Sequence, residues 1–254
     1  MLDPGFYNMD CMEGMKEFPD KYFDLAIVDP PYGGGGRAED ADTGNLAGGV
    51  LIGRNIKTDA SADDSGSITL QTTIKAARTG GGYFQKYKPG GLFSSANIKH
   101  WDVAPGEEYF KELARVSKNQ IIWGGNYFRL PPTRCFIVWR KLTISENFTM
   151  AMCEYAWTSF NDNAKLFECM PQGSAKEKRF HPTQKPVKLY QWLLSRYAKE
   201  GDKILDTHCG SASSLIACRR AGLEFVGFEI DPEYYRAAKE RLDAEMNQIS
   251  LFDL

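Results

Sequence analysis

Apolar positions in this chain fall into two kinds of run. Phe23-Asp24-Leu25-Ala26-Ile27-Val28, Gln120 to Trp123, Cys135 to Trp139, Glu154 to Trp157, Asp202 to Asp206 and Glu224 to Asp231 are short and dense, as strands buried in a sheet are. Residues 10–18, 106–116, 187–198 and 231–247 instead repeat apolar residues at helical spacing, and Leu215 to Arg219 does the same after a loop of small residues. In 187–198 the inward positions are Val187, Leu189, Trp192, Leu193 and Tyr197, and Asp231-Pro232 gives the last helix a favoured start. Strands alternating with helices predict an α/β domain built on a doubly wound, mostly parallel sheet.

Length adds that 254 residues can bury a sizeable core, and a single domain over 1–254 is the economical reading. No apolar run is long enough to span a membrane, and Met1-Leu2-Asp3-Pro4 lacks the basic and apolar regions of a signal peptide. A cytoplasmic protein without a membrane partner is therefore expected. The six cysteines are scattered, several in apolar runs, which predicts free buried thiols. His208 neighbours Cys209, but only His100 and His181 remain as other histidines and no Cys-x-x-Cys spacing exists, so no metal site is expected.

The most specific chemistry follows the first strand run, at Asp29-Pro30-Pro31-Tyr32. An exocyclic base amine is a weak nucleophile because its lone pair is delocalised into the ring. A carboxylate accepting one N–H and a backbone carbonyl accepting the other would draw that nitrogen toward sp3. Asp29 offers the carboxylate and Pro30 the carbonyl, and the two prolines fix φ and donate no N–H, holding the turn open where open α/β sheets bind ligands. Tyr32 adds a flat face for an extruded base. Taken alone, the tetrapeptide is equally a plain turn after a buried strand.

A second site lies far along the chain. The run ending at Asp206 leads into Thr207-His208-Cys209-Gly210-Ser211-Ala212-Ser213-Ser214 and then the helical pattern, the strand, small-residue loop and helix of a nucleotide-binding turn. The next strand run ends in acids about 20 residues after the loop, where a carboxylate can meet ribose hydroxyls.

With these motifs in order, the chain resembles the S-adenosylmethionine-dependent DNA amino-methyltransferases in which the catalytic motif precedes the cofactor loop (the N6-adenine/N4-cytosine family, β arrangement). Asn8-Met9-Asp10-Cys11-Met12-Glu13 resembles that family's opening segment, Ile121-Ile122-Trp123-Gly124-Gly125-Asn126 the strand after the catalytic one, His181-Pro182-Thr183-Gln184-Lys185-Pro186 the element before the loop, and Asp206 to Ser214 the loop itself. Thr207-His208 stands where the family has Pro-Phe, and Ala212 where it has a second glycine. The resemblance implies a Rossmann-like methyltransferase fold with an antiparallel edge hairpin, formed here by the strands bearing Trp139 and Trp157. It implies S-adenosylmethionine as cofactor and double-stranded DNA as partner. It assigns catalysis to Asp29, Pro30, Pro31 and Tyr32, and Glu229 to the ribose. Asp206, Gly210 and Ser211 would meet the methionine side of the cofactor, Thr183 and Lys185 its carboxylate, and Asp10 its adenine. Lys185 taken alone would read as a surface lysine. The activity implied is transfer to N6 of a flipped adenine, with N4 of cytosine and a catalytically silent DNA-binding accessory protein as alternatives.

Net charge near −2 speaks weakly against nucleic acid, but the charge is segregated. No acid occurs from Ser65 to Trp101, where Lys75, Arg78, Lys86, Lys88 and Lys99 lie. None occurs from Leu113 to Ser145 either, where Arg115, Lys118, Arg129, Arg134, Arg140 and Lys141 lie. Such segregation predicts a basic face that follows phosphates, above all from the 75–99 cluster; Lys118 and Arg140 taken singly read as solvated side chains. Residues 33–90, framed by Gly33-Gly34-Gly35-Gly36 and Pro89-Gly90-Gly91, are expected to be a mobile DNA-contacting insertion, and 163–178 a short candidate recognition segment.

Overall fold

The computed structural model describes residues 1–33, 54–62, 68–76, 102–147, 151–171 and 179–250. In chain order the elements are β1 (Gly5–Asn8), α1 (Cys11–Lys16), β2 (Phe23–Val28), β3 (Arg54–Ala62), β4 (Ile68–Ala76), α2 (Glu107–Val116), β5 (Ser117–Trp123), a 3-10 turn (Gly125–Tyr127), β6 (Phe136–Lys141), β7 (Cys153–Thr158), β8 (Lys165–Cys169), α3 (Val187–Tyr197), β9 (Lys203–Asp206), α4 (Ser213–Arg220), β10 (Glu224–Glu229) and α5 (Pro232–Ser250).

Eight strands form one sheet in the order β1-β10-β9-β2-β5-β7-β6-β8. Among the described residues β7 pairs antiparallel with β5 and β6, and the remaining pairings of this sheet are parallel. The β6–β7 hairpin is antiparallel as expected, but it is not the sheet edge. β7 inserts beside β5, and β8 covers β6 on the outside. The pattern Lys165-Leu166-Phe167-Glu168-Cys169 hid β8 because two of its five side chains are half-buried and two are exposed, which leaves Cys169 as the buried one. β1 was hidden by its length of 4 residues.

The period of two along the central strands divides the core into two layers. Leu25 and Ile27 of β2 face one side with Ile121 and Trp123 of β5 and Ile204 of β9, and meet Leu189 and Leu193 of α3, Leu215 of α4 and Leu242 of α5. Ala26, Val28, Ile122 and Leu205 face the other side with Phe228, and meet Met15 of α1 and Tyr109, Leu113 and Val116 of α2. Helices on both faces make the sheet doubly wound. Asp231 caps α5 by accepting from the backbone N–H of Glu233 at 2.8 Å and of Tyr234 at 3.1 Å.

Within the expected insertion, β3 and β4 pair antiparallel in a two-stranded sheet, with Arg54 opposite Ala76 and Ala62 opposite Ile68. The remainder of 33–90 beyond Gly33, and the side chains of the 75–99 basic cluster, lie outside the described residues, as do 172–178.

The close approach of α4 to β10 rests on Gly227, where a Cβ would lie 2.6 Å from Cys209 Sγ and 2.7 Å from Leu215 Cδ1. Gly227→Ala is expected to cost about 1–3 kcal/mol by overpacking, read as a lower denaturation midpoint. A variant as stable as the parent would contradict this packing.

Candidate active site

Parallel pairing of β10, β9, β2 and β5 brings their carboxyl ends to one edge of the sheet, and the sequence motifs sit there. Asp29 leaves the end of β2 with Pro30 buried behind it. Tyr32 donates its hydroxyl to Asp29 Oδ1 at 2.7 Å. Burial, with the Asp29 charge beside it, holds the Tyr32 phenol well above its ordinary pKa, so it remains a donor. Its ring lies over Gly124, where φ is +66° and a Cβ would fall 2.1 Å from the ring. It also meets Tyr127 at 4.7 Å between centroids and Phe128 at 6.0 Å. The turn exit is tied down by the Gly33 N–H donating to Asp102 Oδ1 at 3.1 Å.

The second oxygen of Asp29 receives the ammonium of Lys185. Lys185 is not a surface residue: its side chain is 4% exposed, and it also reaches Glu154 Oε2 at 3.2 Å. Burial alone would lower the lysine pKa, but Asp29 and Glu154 outweigh it and hold the ammonium above its ordinary value. Glu154 in turn takes Lys141 at 2.6 Å on Oε1. Burial would raise its carboxyl, yet Lys185 and Lys141 hold it down at about 2. Lys185 thus joins the Asp29 turn to β7 from within the protein, and its cation lies against the Asp29 and Glu154 carboxylates.

On the neighbouring strands the small-residue loop is built around buried polar groups. Asp206 accepts from the Ser214 hydroxyl and from the His208 N–H at 3.0 Å. Burial pushes its carboxyl up to about 7; those two donors oppose the rise, and the charges of Asp29 and Glu229 add to it. Glu229, at the end of β10, accepts the Gly210 N–H on Oε2 at 2.8 Å and the Asp231 N–H on Oε1 at 2.9 Å. Burial raises its pKa as well. Gly210 adopts φ +50° against the ring of His181, which burial, Arg179 and Lys185 hold neutral down to about 3. Ala212 keeps a left-handed φ of 58° despite its Cβ, at a cost of about 1 kcal/mol. Ser211 is buried, and its carbonyl accepts from Arg241 at 2.7 Å.

Thr183 is exposed, with its hydroxyl 3.2 Å from His181 Nδ1, and Asp10 caps α1 by accepting the Met12 N–H at 2.7 Å. Asp10 follows β1, whose Asn8 sits in register with Glu229, so it belongs to the same edge. His208 is lowered to about 4 by burial and stays a neutral aromatic ring, edge-on to Tyr109 at 5.4 Å. Burial raises the Cys11 thiol to about 12 and holds the Cys209 thiol well above its ordinary value, which leaves neither as a thiolate nucleophile.

Sequence reading missed Glu154, Tyr127 and Tyr109. For Glu154 a signal existed, an acid within the strand run ending at Trp157. Four of the six cations in the second basic run are paired with acids, while Arg129 and Arg134 are exposed. Arg115 pairs with Glu112 and Asp20, Lys118 with Asp24, Arg140 with Glu168 and Lys141 with Glu154.

This architecture is a Rossmann-like methyltransferase fold. PvuII DNA methyltransferase (cytosine-N4-specific) shares it with a TM-score of 0.52 at 13% identity, over 98% of this chain and 93% of that one. Residues 154–240, which hold Glu154, Lys185, Asp206 and Glu229 but not Asp29, match the family profile described as DNA methylase (N6_N4_Mtase). Type II methyltransferase M.HpaI of Haemophilus parainfluenzae is 38% identical over 78 residues, 31% of this chain and 25% of that protein. Type II methyltransferase M2.DpnII of Streptococcus pneumoniae is 42% identical over 65 residues, 26% of this chain and 24% of that protein. The matches thus span about a quarter of the length of these relatives. The chain is similar to DNA amino-methyltransferases in sequence over this stretch and in fold over nearly its whole length.

Asp206 provides a pH test. Its carboxyl titrates near 7 when folded against an ordinary value of 3.8, so between those values the unfolded chain binds fewer protons and stability falls as pH rises. Asp206→Asn cannot ionise and is expected to lose less melting temperature than the parent from about pH 4 to about pH 7. Parallel pH dependences would contradict the assignment.

Proposed function

We propose that this chain is a cytosolic DNA methyltransferase that moves a methyl group from S-adenosylmethionine to the N6 amine of an adenine rotated out of the duplex. The observation that carries this reading is the arrangement of Asp29, Asp206 and Glu229 at the ends of three adjacent parallel strands, close enough that the charges of the other two act on Asp206. The donor set suits the cofactor. Glu229 and Asp206 keep acceptor capacity beyond the backbone N–H groups they hold, and a cluster of carboxylates favours a cationic sulfonium. When bound, the cofactor supplies an electrophilic methyl: the amine lone pair forms the N–C bond as the S–C pair returns to sulfur, and the surplus amine proton leaves to Asp29 or water.

The protein's part is alignment and electrostatics. Asp29 accepts one amine N–H and the Pro30 carbonyl the other, while the base stacks beside Tyr32, whose hydroxyl fixes the carboxylate. Glu229 takes the ribose hydroxyls, Asp206, Gly210 and Ser211 line the methionine side, Thr183 stands near its carboxylate, and Asp10 lies toward the adenine. Lys185 belongs with Asp29. The Asp rather than Ser before Pro-Pro-Tyr supports adenine by family analogy, the profile described as DNA methylase supports DNA as substrate, and the Type II methyltransferase relatives support a place in restriction–modification.

Incubation with methyl-labelled S-adenosylmethionine and unmethylated double-stranded DNA tests the reading. Label is expected in DNA, as N6-methyladenine on nucleoside analysis. Recovery as N4-methylcytosine would move the target base, and DNA binding without label would support the silent accessory protein. Asp29→Ala should reduce transfer at least about 10²–10³-fold while S-adenosylhomocysteine still binds; retained turnover would remove Asp29 from its role.

A further inference from the structure

We propose that Glu154 is a positioning residue, which competes with Asp29 for the Lys185 ammonium and thereby frees the Asp29 carboxylate for the substrate amine. This rests on the proposed transfer reaction. Before any substrate arrives, both oxygens of Asp29 hold donors, the Tyr32 hydroxyl on Oδ1 at 2.7 Å and the Lys185 ammonium on Oδ2. A carboxylate neutralised by an ammonium is a weak acceptor for the N–H of a neutral amine. Lys185 must therefore loosen its hold when the base enters.

With a side chain only 4% exposed, Lys185 has no path to solvent, and an unpaired buried cation is strongly unfavourable. Glu154 resolves this. Its Oε2 already lies 3.2 Å from the ammonium, so a small rotation exchanges partners without leaving the charge bare. Glu154 is itself held for the task, since Oε1 is bound by Lys141 at 2.6 Å, which turns Oε2 toward Lys185. The Trp123 ring lies 5.3 Å from the Lys185 ammonium and the Trp139 ring 5.3 Å from that of Lys141, with the two indoles edge to face at 6.4 Å. Asp29, Lys185, Glu154 and Lys141 thus form a row of alternating charge over an aromatic floor. Three elements contribute to it besides the Asp29 turn: the segment entering α3, β7 and β6.

The test uses three variants of the full chain. Glu154→Gln keeps the shape and removes the charge, and is expected to lower kcat by about 10- to 100-fold, the scale of a supporting contact, with S-adenosylhomocysteine affinity unchanged. Lys141→Met combined with Glu154→Gln removes one charge of each sign. Its kcat should stay low, whereas return to the parental value would mean that Glu154 only neutralises Lys141 and would overturn the proposal. The third variant, Asp29→Asn, is read by crystallography. The Lys185 ammonium should remain on Glu154, and finding it turned away would equally overturn the proposal. That last reading needs no turnover, so loss of the enzymatic reading and loss of this one are told apart.

Discussion

The ladder between β2 and β9 is the contact on which everything else depends. Leu25 pairs with Ile204 and Ala26 with Leu205, and the Lys203 N–H donates to Asp24 at 3.0 Å across 179 residues of chain. Parallel pairing is what makes this functional. Both strands run the same way, so Asp29 and Asp206 emerge at the same edge of the sheet. The flanking pairs, β9 with β10 and β2 with β5, extend that edge to Glu229 on one side and to Gly124 and Tyr127 on the other. The alternating burial of Leu25 and Ile27 against Ala26 and Val28 requires helices on both faces, which leaves the carboxyl edge as the open one.

Along that edge, charge is organised by burial. On the Asp29 side, two lysines and two carboxylates neutralise one another under partial exclusion of water, and the Glu154 carboxyl is held low by them. On the Asp206 side burial and neighbouring acids dominate among the described residues, and both Asp206 and Glu229 are raised. The same edge therefore carries paired charges at one end and raised carboxyl groups at the other. A cationic sulfonium suits the second, and the first suits a neutral amine once Lys185 passes from Asp29 to Glu154.

Much of this was legible in the sequence because the central strands are buried on both faces and read as continuous apolar runs, and because the loops between them hold residues with little use elsewhere, Asp-Pro-Pro-Tyr above all. The helices were legible within a few residues from their period and from the cap at Asp231. Three things were not. β1 and β8 flank the sheet and carry no long apolar run. The position of β7 between β5 and β6 depends on a strand returning across the sheet, which no local pattern encodes. The partners of Lys185 depend on three separated segments meeting, so a lysine in His-Pro-Thr-Gln-Lys-Pro could be related to a cofactor by resemblance but not to Asp29 and Glu154. Likewise Arg115, Lys118, Arg140 and Lys141 looked free for phosphates because the acids Asp20, Asp24, Glu168 and Glu154 that bind them lie elsewhere in the chain.

The most direct test is a crystal structure of the chain with S-adenosylhomocysteine bound. The account predicts the ribose hydroxyls on Glu229, the amino-acid end along the Asp206–Ser211 loop, and the sulfur directed across the β9–β2 boundary toward Asp29. A nucleoside seated away from this edge, or a sulfur turned from Asp29, would contradict it.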